Sequence, residues 1–158
     1  MDIASIVGML GIATLSLIGM EDPVVFWNIP SAVFVFGSTS MLIIFSFPLQ
    51  NVSSLGRYCW YAFAHPKAND DVEKVRNDLE MGILILDRAM TFFQVTGLVG
   101  TMIGAILMLK DRSDLSAIAP VMAVAILTTF YGILMAYFFC LPIKTKLQVH
   151  LKNLGRDA

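Results

Sequence analysis

Charge is what this chain has least of. Only 15% of its 158 residues are Asp, Glu, Lys or Arg, against about 25% in an ordinary soluble domain. Basic residues form no stripe and do not alternate with aromatics, which excludes a nucleic-acid surface. The two cysteines, Cys59 and Cys140, lie in different segments. They make neither a disulfide framework nor a paired-thiolate metal site. His65 and His150 are isolated, and a metal site needs several converging ligands, so no metal is expected. No nucleophile–base pair and no phosphate-cradling loop is present, so the chain is not read as an enzyme and no bound cofactor is expected. The first residues lack a basic segment, and no small-x-small cleavage site follows Met20; a secretory signal is not expected there.

Apolar residues fill the space that charge leaves. They make up 57% of the chain, and the mean hydropathy is +0.74. The pattern predicts an all-α membrane protein, a single domain over 1–158 with four transmembrane helices. The spans are about 3–20, 31–47, 90–109 and 118–143, each long enough or nearly long enough to cross a bilayer. Pro30 interrupts the apolar stretch before the second span, and Pro48 ends it. Pro120 is expected in the first turn of the fourth span, where proline is tolerated. Pro142 is expected at its far end, followed by a short amphipathic tail.

Residues 48–89 form the only sizeable polar region. Asn51–Phe63 suits an interfacial helix, with Arg57, Tyr58, Trp60 and Tyr61. Asp70 followed by Glu73 resembles a capping box. From there Val72, Val75, Leu79, Ile83, Leu86 and Met90 recur every three or four residues, an amphipathic helical stripe. No proline separates it from the third span. Asp70–Leu109 is therefore expected as one helix, about 60 Å long at 1.5 Å per residue, twice the hydrocarbon thickness. Its first half would project into water. The middle region and the tail carry nine Lys and Arg, and the loop after the third span carries two. The positive-inside rule places that region and both termini in the cytoplasm.

The third span, TGLVGTMIGAILML, carries Gly97, Gly100, Thr101 and Gly104 along one helical side. The fourth carries Ala125, Thr128, Thr129, Gly132 and Ala136. Small residues let helix backbones approach closely in lipid, and the hydroxyls ride on that seam. A plain packing seam, with each threonine bonded to its own turn, is one reading. An ion path is the other. None of the four spans contains an Asp, Glu, Lys, Arg or His, one of which an ion path normally shows. Either the helices are structural, or a partner supplies the charge.

Gly97–Gly104, Ala119–Gly132 and Phe138–Ile143 with Lys146-Leu147 resemble the MotA/TolQ/ExbB family of ion-driven motor subunits. The likeness is nearest to the flagellar stator A subunits of the MotA and PomA type, whose four-span topology also matches. The resemblance implies a homopentamer around a dimeric B subunit. Each B chain would have a single transmembrane helix whose aspartate carries the ion. Thr101 and Thr129, with Thr128 beside them, would line the path of H+ or Na+. The Thr128-Thr129 doublet is more like the sodium-driven branch. Three departures stand out. Gln94 occupies a position that is usually proline. Thr91 replaces an acidic residue. The polar region 48–89 is much shorter than the insertion with which flagellar stators engage a cytoplasmic rotor. The expected function is an A subunit of a compact, stator-like rotary motor in the bacterial inner membrane, with a rotor or another effector in the cytoplasm. The alternatives are a TolQ/ExbB-like energiser of another envelope process and a non-conducting membrane scaffold.

Overall fold

A computed structural model describes residues 7, 8, 11, 14, 26–63, 72–110 and 115–155. The described residues are helical almost throughout, and they include no strand. Among the described residues, three helices are long and apolar enough to cross a membrane. They correspond to the second, third and fourth expected spans. The first expected span lies outside the described residues apart from Val7, Gly8, Gly11 and Thr14, all four of them helical.

Helix α1 runs Ile29–Ser46. Asn28 caps it, its Oδ1 accepting from the Ser31 N–H at 3.0 Å, one of the N–H groups that a helix start leaves unpaired. Pro30 falls in the first turn, so it opens this helix where the sequence suggested a break. One narrow line of α1 is buried, Ser31, Val35 and Thr39, each four residues from the last. Pro48 follows the C-cap. The polar stretch expected as one interfacial helix is two, α2 (Leu49–Ser53) and α3 (Leu55–Phe63). They meet at Ser54, whose hydroxyl and that of Ser53 turn back to the carbonyl of Gln50. Tyr58 and Ala62 are the buried face of α3.

Helix α4 is the spine of the fold. It is continuous from Val72 to Lys110, 39 residues, as the unbroken periodicity predicts; Asp70, the expected cap, lies outside the described residues. Its buried line differs in detail from the expected stripe. Val75, Leu79 and Leu86 are buried as expected, whereas Val72 is exposed. Gly82 and Ala89 are buried where Ile83 and Met90 are only partly covered. Small residues carry the line because neighbouring helices come close there. A Cβ on Gly82 would lie 3.0 Å from Tyr58 Cβ and 3.1 Å from Leu147 Cδ1. Two other helices thus rest on α4 at one point.

Helix α5 spans Leu115–Leu134. It starts earlier than the sequence suggested, so Pro120 stands inside the helix rather than in its first turn. The chain then passes without a break through a π-helical segment, Met135–Cys140, into α6, Leu141–Leu154. Pro142 is therefore not the helix end expected of it. The helix runs through it for three more turns, and the "tail" is its continuation. A proline inside an α-helix clashes with the carbonyl four residues back and leaves it unbonded. The π turn just before Pro142 bonds with a five-residue step, which relaxes that conflict. Leu147 of α6 is fully buried, in one apolar cluster with Val35, Leu79, Leu86, Phe93 and Ala136.

Candidate functional site

Helices α4 and α5 touch backbone to backbone through the residues expected to pack. Gly97, Gly100, Gly104, Ala125 and Gly132 are all buried. A Cβ on Gly97 would lie 3.0 Å from the Thr128 carbonyl oxygen and 3.3 Å from Gly132 Cα. One on Gly100 would lie 2.9 Å from Thr128 Cβ. On Gly104 it would collide with Ala125 Cβ, and on Gly132 with the carbonyl oxygen of Phe93. By contrast, a Cβ on Gly8 or Gly11 would meet nothing within 4 Å.

This close approach brings three hydroxyls together. Thr101 Oγ1 lies 2.8 Å from the Ala125 carbonyl oxygen and 3.2 Å from that of Gly97. It also meets Thr128 Oγ1 at 3.3 Å and forms a short contact with Thr129 Oγ1. Thr128 donates to Ala125 at 2.7 Å and reaches Gly97 at 3.3 Å. Thr129 donates to Gly97 at 3.2 Å. The Gly97 carbonyl is thus within reach of all three hydroxyls, and each hydroxyl has one hydrogen to give. Several arrangements of those hydrogens satisfy the cluster, so it can present either a lone pair or an O–H to a neighbour. Thr128 is 5% exposed, sealed inside the seam. Thr101 and Thr129 are half-buried, at the seam's open edge. The alternative of separate back-bonds holds only in part, since Thr101 and Thr128 bond to their own turns and across the seam as well.

Further polar contacts, not foreseen as pairs, hold α1 and its approach against this seam. Tyr131 Oη accepts from the Asn28 N–H at 3.0 Å and donates to the Phe26 carbonyl. Thr39 and Thr96 share a buried hydrogen bond of 3.1 Å between α1 and α4. Ser31 Oγ reaches the Val124 carbonyl at 3.4 Å. The four-residue spacing of Ser31, Val35 and Thr39 was the available signal for that face. On the other side of the seam, Gln94 Nε2 donates to Tyr137 Oη at 2.6 Å. Beyond it Lys144 donates to Asp87, and that hydrogen bond and charge hold the Asp87 carboxyl below the usual carboxylate range. Arg57 of α3 pairs with Asp78 of α4 at 3.2 Å. No cluster of three or more metal-ligating side chains occurs among the described residues.

The model of the MotA/TolQ/ExbB proton channel family matches residues 64–157. Motility protein A of Aquifex aeolicus (strain VF5) is 36% identical over 89 residues, 49% of this chain and 35% of that protein. Motility protein A of Cereibacter sphaeroides is 56% identical over 52 residues, 33% of this chain and 21% of its own length. The chain thus spans about a third or less of the curated relatives it matches. The flagellar MotAB stator complex of Bacillus subtilis contains a chain of the same fold. Its TM-score is 0.79 at 14% identity, covering 96% of this chain and 82% of that one. A matching family model over more than half the sequence, laid on a seam built from the residues that carry the likeness, places the chain in the MotA/TolQ/ExbB proton channel family.

Proposed function

We propose that the chain is the A subunit of a rotary motor driven by an ion gradient, of the flagellar stator kind. Five copies would surround a dimer of B subunits, each with one membrane helix. A monovalent cation, H+ or Na+, would move between the partner's aspartate and the cytoplasm past Thr101 and Thr129. The observation that carries this reading is the hydroxyl cluster. Three threonines converge on the Gly97 carbonyl near the middle of a membrane span, and no Asp, Glu, Lys, Arg or His lies in any expected span. Hydroxyls and a carbonyl can replace part of a cation's water shell, or hold a water beside a carboxylate. They cannot store the charge, so the carboxylate must come from a partner. The half-buried Thr101 and Thr129 are the members that a partner helix can reach. The chain would lie in the bacterial inner membrane with both termini in the cytoplasm.

The test is ion current in cells or proteoliposomes that hold this chain with a B-type partner. Thr101→Val and Thr129→Val keep the shape and remove the oxygen. Each should assemble as the wild type does and conduct poorly, with Thr14→Val as the control outside the seam. Current at the wild-type rate in both variants would make the hydroxyls structural. Native mass spectrometry tests the pentamer, and a monomer alone would contradict it.

A further inference from the structure

The hydroxyl cluster is the innermost of three polar crossings between the same two helical rods. On α4 they use Asp87, Gln94 and Thr101, spaced by seven residues and seven. Seven residues are close to two helical turns, so the three side chains share one face, about 10 Å apart in height. Their partners are Lys144, Tyr137 and Thr129. Those are spaced by seven and by eight. Eight residues of α-helix would turn the middle partner about 80° off the face. The π segment Met135–Cys140 begins just before Tyr137, and a π turn takes up one extra residue. The π segment thus straddles the middle crossing, where the spacing of the partners changes from eight to seven.

The middle crossing lies within the expected span, yet it is not sealed. Tyr137 is 45% exposed and Gln94 is half-buried. The amide oxygen of Gln94 accepts no hydrogen bond among the described residues. Around it α4 shows lipid-type side chains, Val95 48% and Leu98 57% exposed. An unsatisfied amide facing hydrocarbon costs several kcal/mol, so polar groups at that depth face water or protein.

We propose that the three crossings line a water-filled file that runs from the threonine cluster to the cytoplasmic surface and carries a hydrated monovalent cation. Gln94 offers a carbonyl oxygen and Tyr137 a hydroxyl oxygen midway along it. The Lys144–Asp87 pair forms its mouth, where Lys144 offsets the charge that would otherwise trap the cation. The file deepens the function proposed above, because it supplies the cytoplasmic leg of the same path. Its first test, thiol labelling, does not depend on current.

The chain with Cys59→Ala and Cys140→Ala is placed in inner-membrane vesicles with the cytoplasmic face outward. Gln94→Cys, Tyr137→Cys, Val95→Cys and Leu98→Cys are then treated one at a time with a positively charged, membrane-impermeant methanethiosulfonate. Only an ionised thiol reacts, and a thiol ionises only in water. Cysteines at 94 and 137 should react at least about tenfold faster than those at 95 and 98. Equal slow labelling at all four positions overturns the file, and so does equal fast labelling. A second reading uses Tyr137→Phe with a B-type partner, which should lower ion current without changing assembly. Fast labelling at 94 and 137 with no current in the wild type would leave the file standing and refute the motor. Wild-type current with uniform labelling would do the reverse.

Discussion

Gly132→Ala adds one methyl group where two backbones meet. The new Cβ would be driven into the carbonyl oxygen of Phe93 and would stand 3.2 Å from Gly97 Cα. Both obstacles are backbone inside long helices, so neither can swing aside as a side chain would. Helices α4 and α5 must part by several tenths of an ångström or more. Overpacking of that kind costs about 1–3 kcal/mol. It is opposed by the better helix propensity of alanine, worth about 1 kcal/mol. Parting the helices also stretches the bonds from Thr128 and Thr129 to the Gly97 carbonyl, already 3.3 and 3.2 Å long. The net should be a loss of about 1–2 kcal/mol, a fall of roughly 2–8 °C in the midpoint for a chain of this size. The assay is thermal unfolding in detergent, followed by the fraction that remains monodisperse on gel filtration. Gly37→Ala is the matched control. Its Cβ would meet nothing within 4 Å, so only the propensity gain is left and the midpoint should hold or rise. If Gly132→Ala melts at or above the wild-type temperature, as Gly37→Ala does, the seam is looser than described and the backbone contact limits nothing.

Three further outcomes follow from other parts of the molecule. Thr39→Val removes the hydroxyl that Thr96 meets across the helices, while Thr96 keeps its bond to the Phe93 carbonyl at 3.2 Å, so the loss should be about 1 kcal/mol, one net hydrogen bond, and Thr39→Val with Thr96→Val should lose no more than that; a double variant less stable than Thr39→Val alone would contradict this. Leu79→Pro breaks α4 at a fully buried position and should cost about 3 kcal/mol or more, seen as loss of folded protein on detergent gel filtration. Asp87, held below its usual pKa by Lys144, contributes stability above the ordinary carboxylate range and loses it as the pH falls through its folded pKa. The wild type should therefore melt above Asp87→Asn at neutral pH by no more than about 1 kcal/mol, since the site is screened by solvent, and the gap should close below about pH 4.

The long helix and the glycine seam were both legible in the sequence, for a simple reason. A periodicity without proline has one regular solution, and glycines at three- and four-residue spacing have one face. The hydroxyls of Thr101, Thr128 and Thr129 could be placed on that seam for the same reason. What could not be read was how two rods lie against each other. Thr39 with Thr96, and Gln94 with Tyr137, are separated by 57 and 43 residues, and no local pattern joins them. Gly82 gave no sign either, because its neighbours Tyr58 and Leu147 arrive from helices on either side of it in sequence. Pro142 misled for a different reason. Proline normally ends a helix, and the sequence carries no local mark of the π turn that lets it stay.

Helix α4 has no joint. From Lys110 to Val72 it extends about 58 Å at the usual rise, with one hydrogen-bonded ladder from end to end. In its N-terminal half it is braced on two sides, by Tyr58 and by Leu147 at Gly82, and Arg57 ties the brace to Asp78. A rod held in this way transmits torsion and tilt with little loss. A small rotation imposed at the level of Thr101 arrives at Val75 as the same rotation, and a small tilt arrives as a displacement that grows with the length of the lever. The fold needs no second moving part to carry an event at the threonine seam to the far end of this rod.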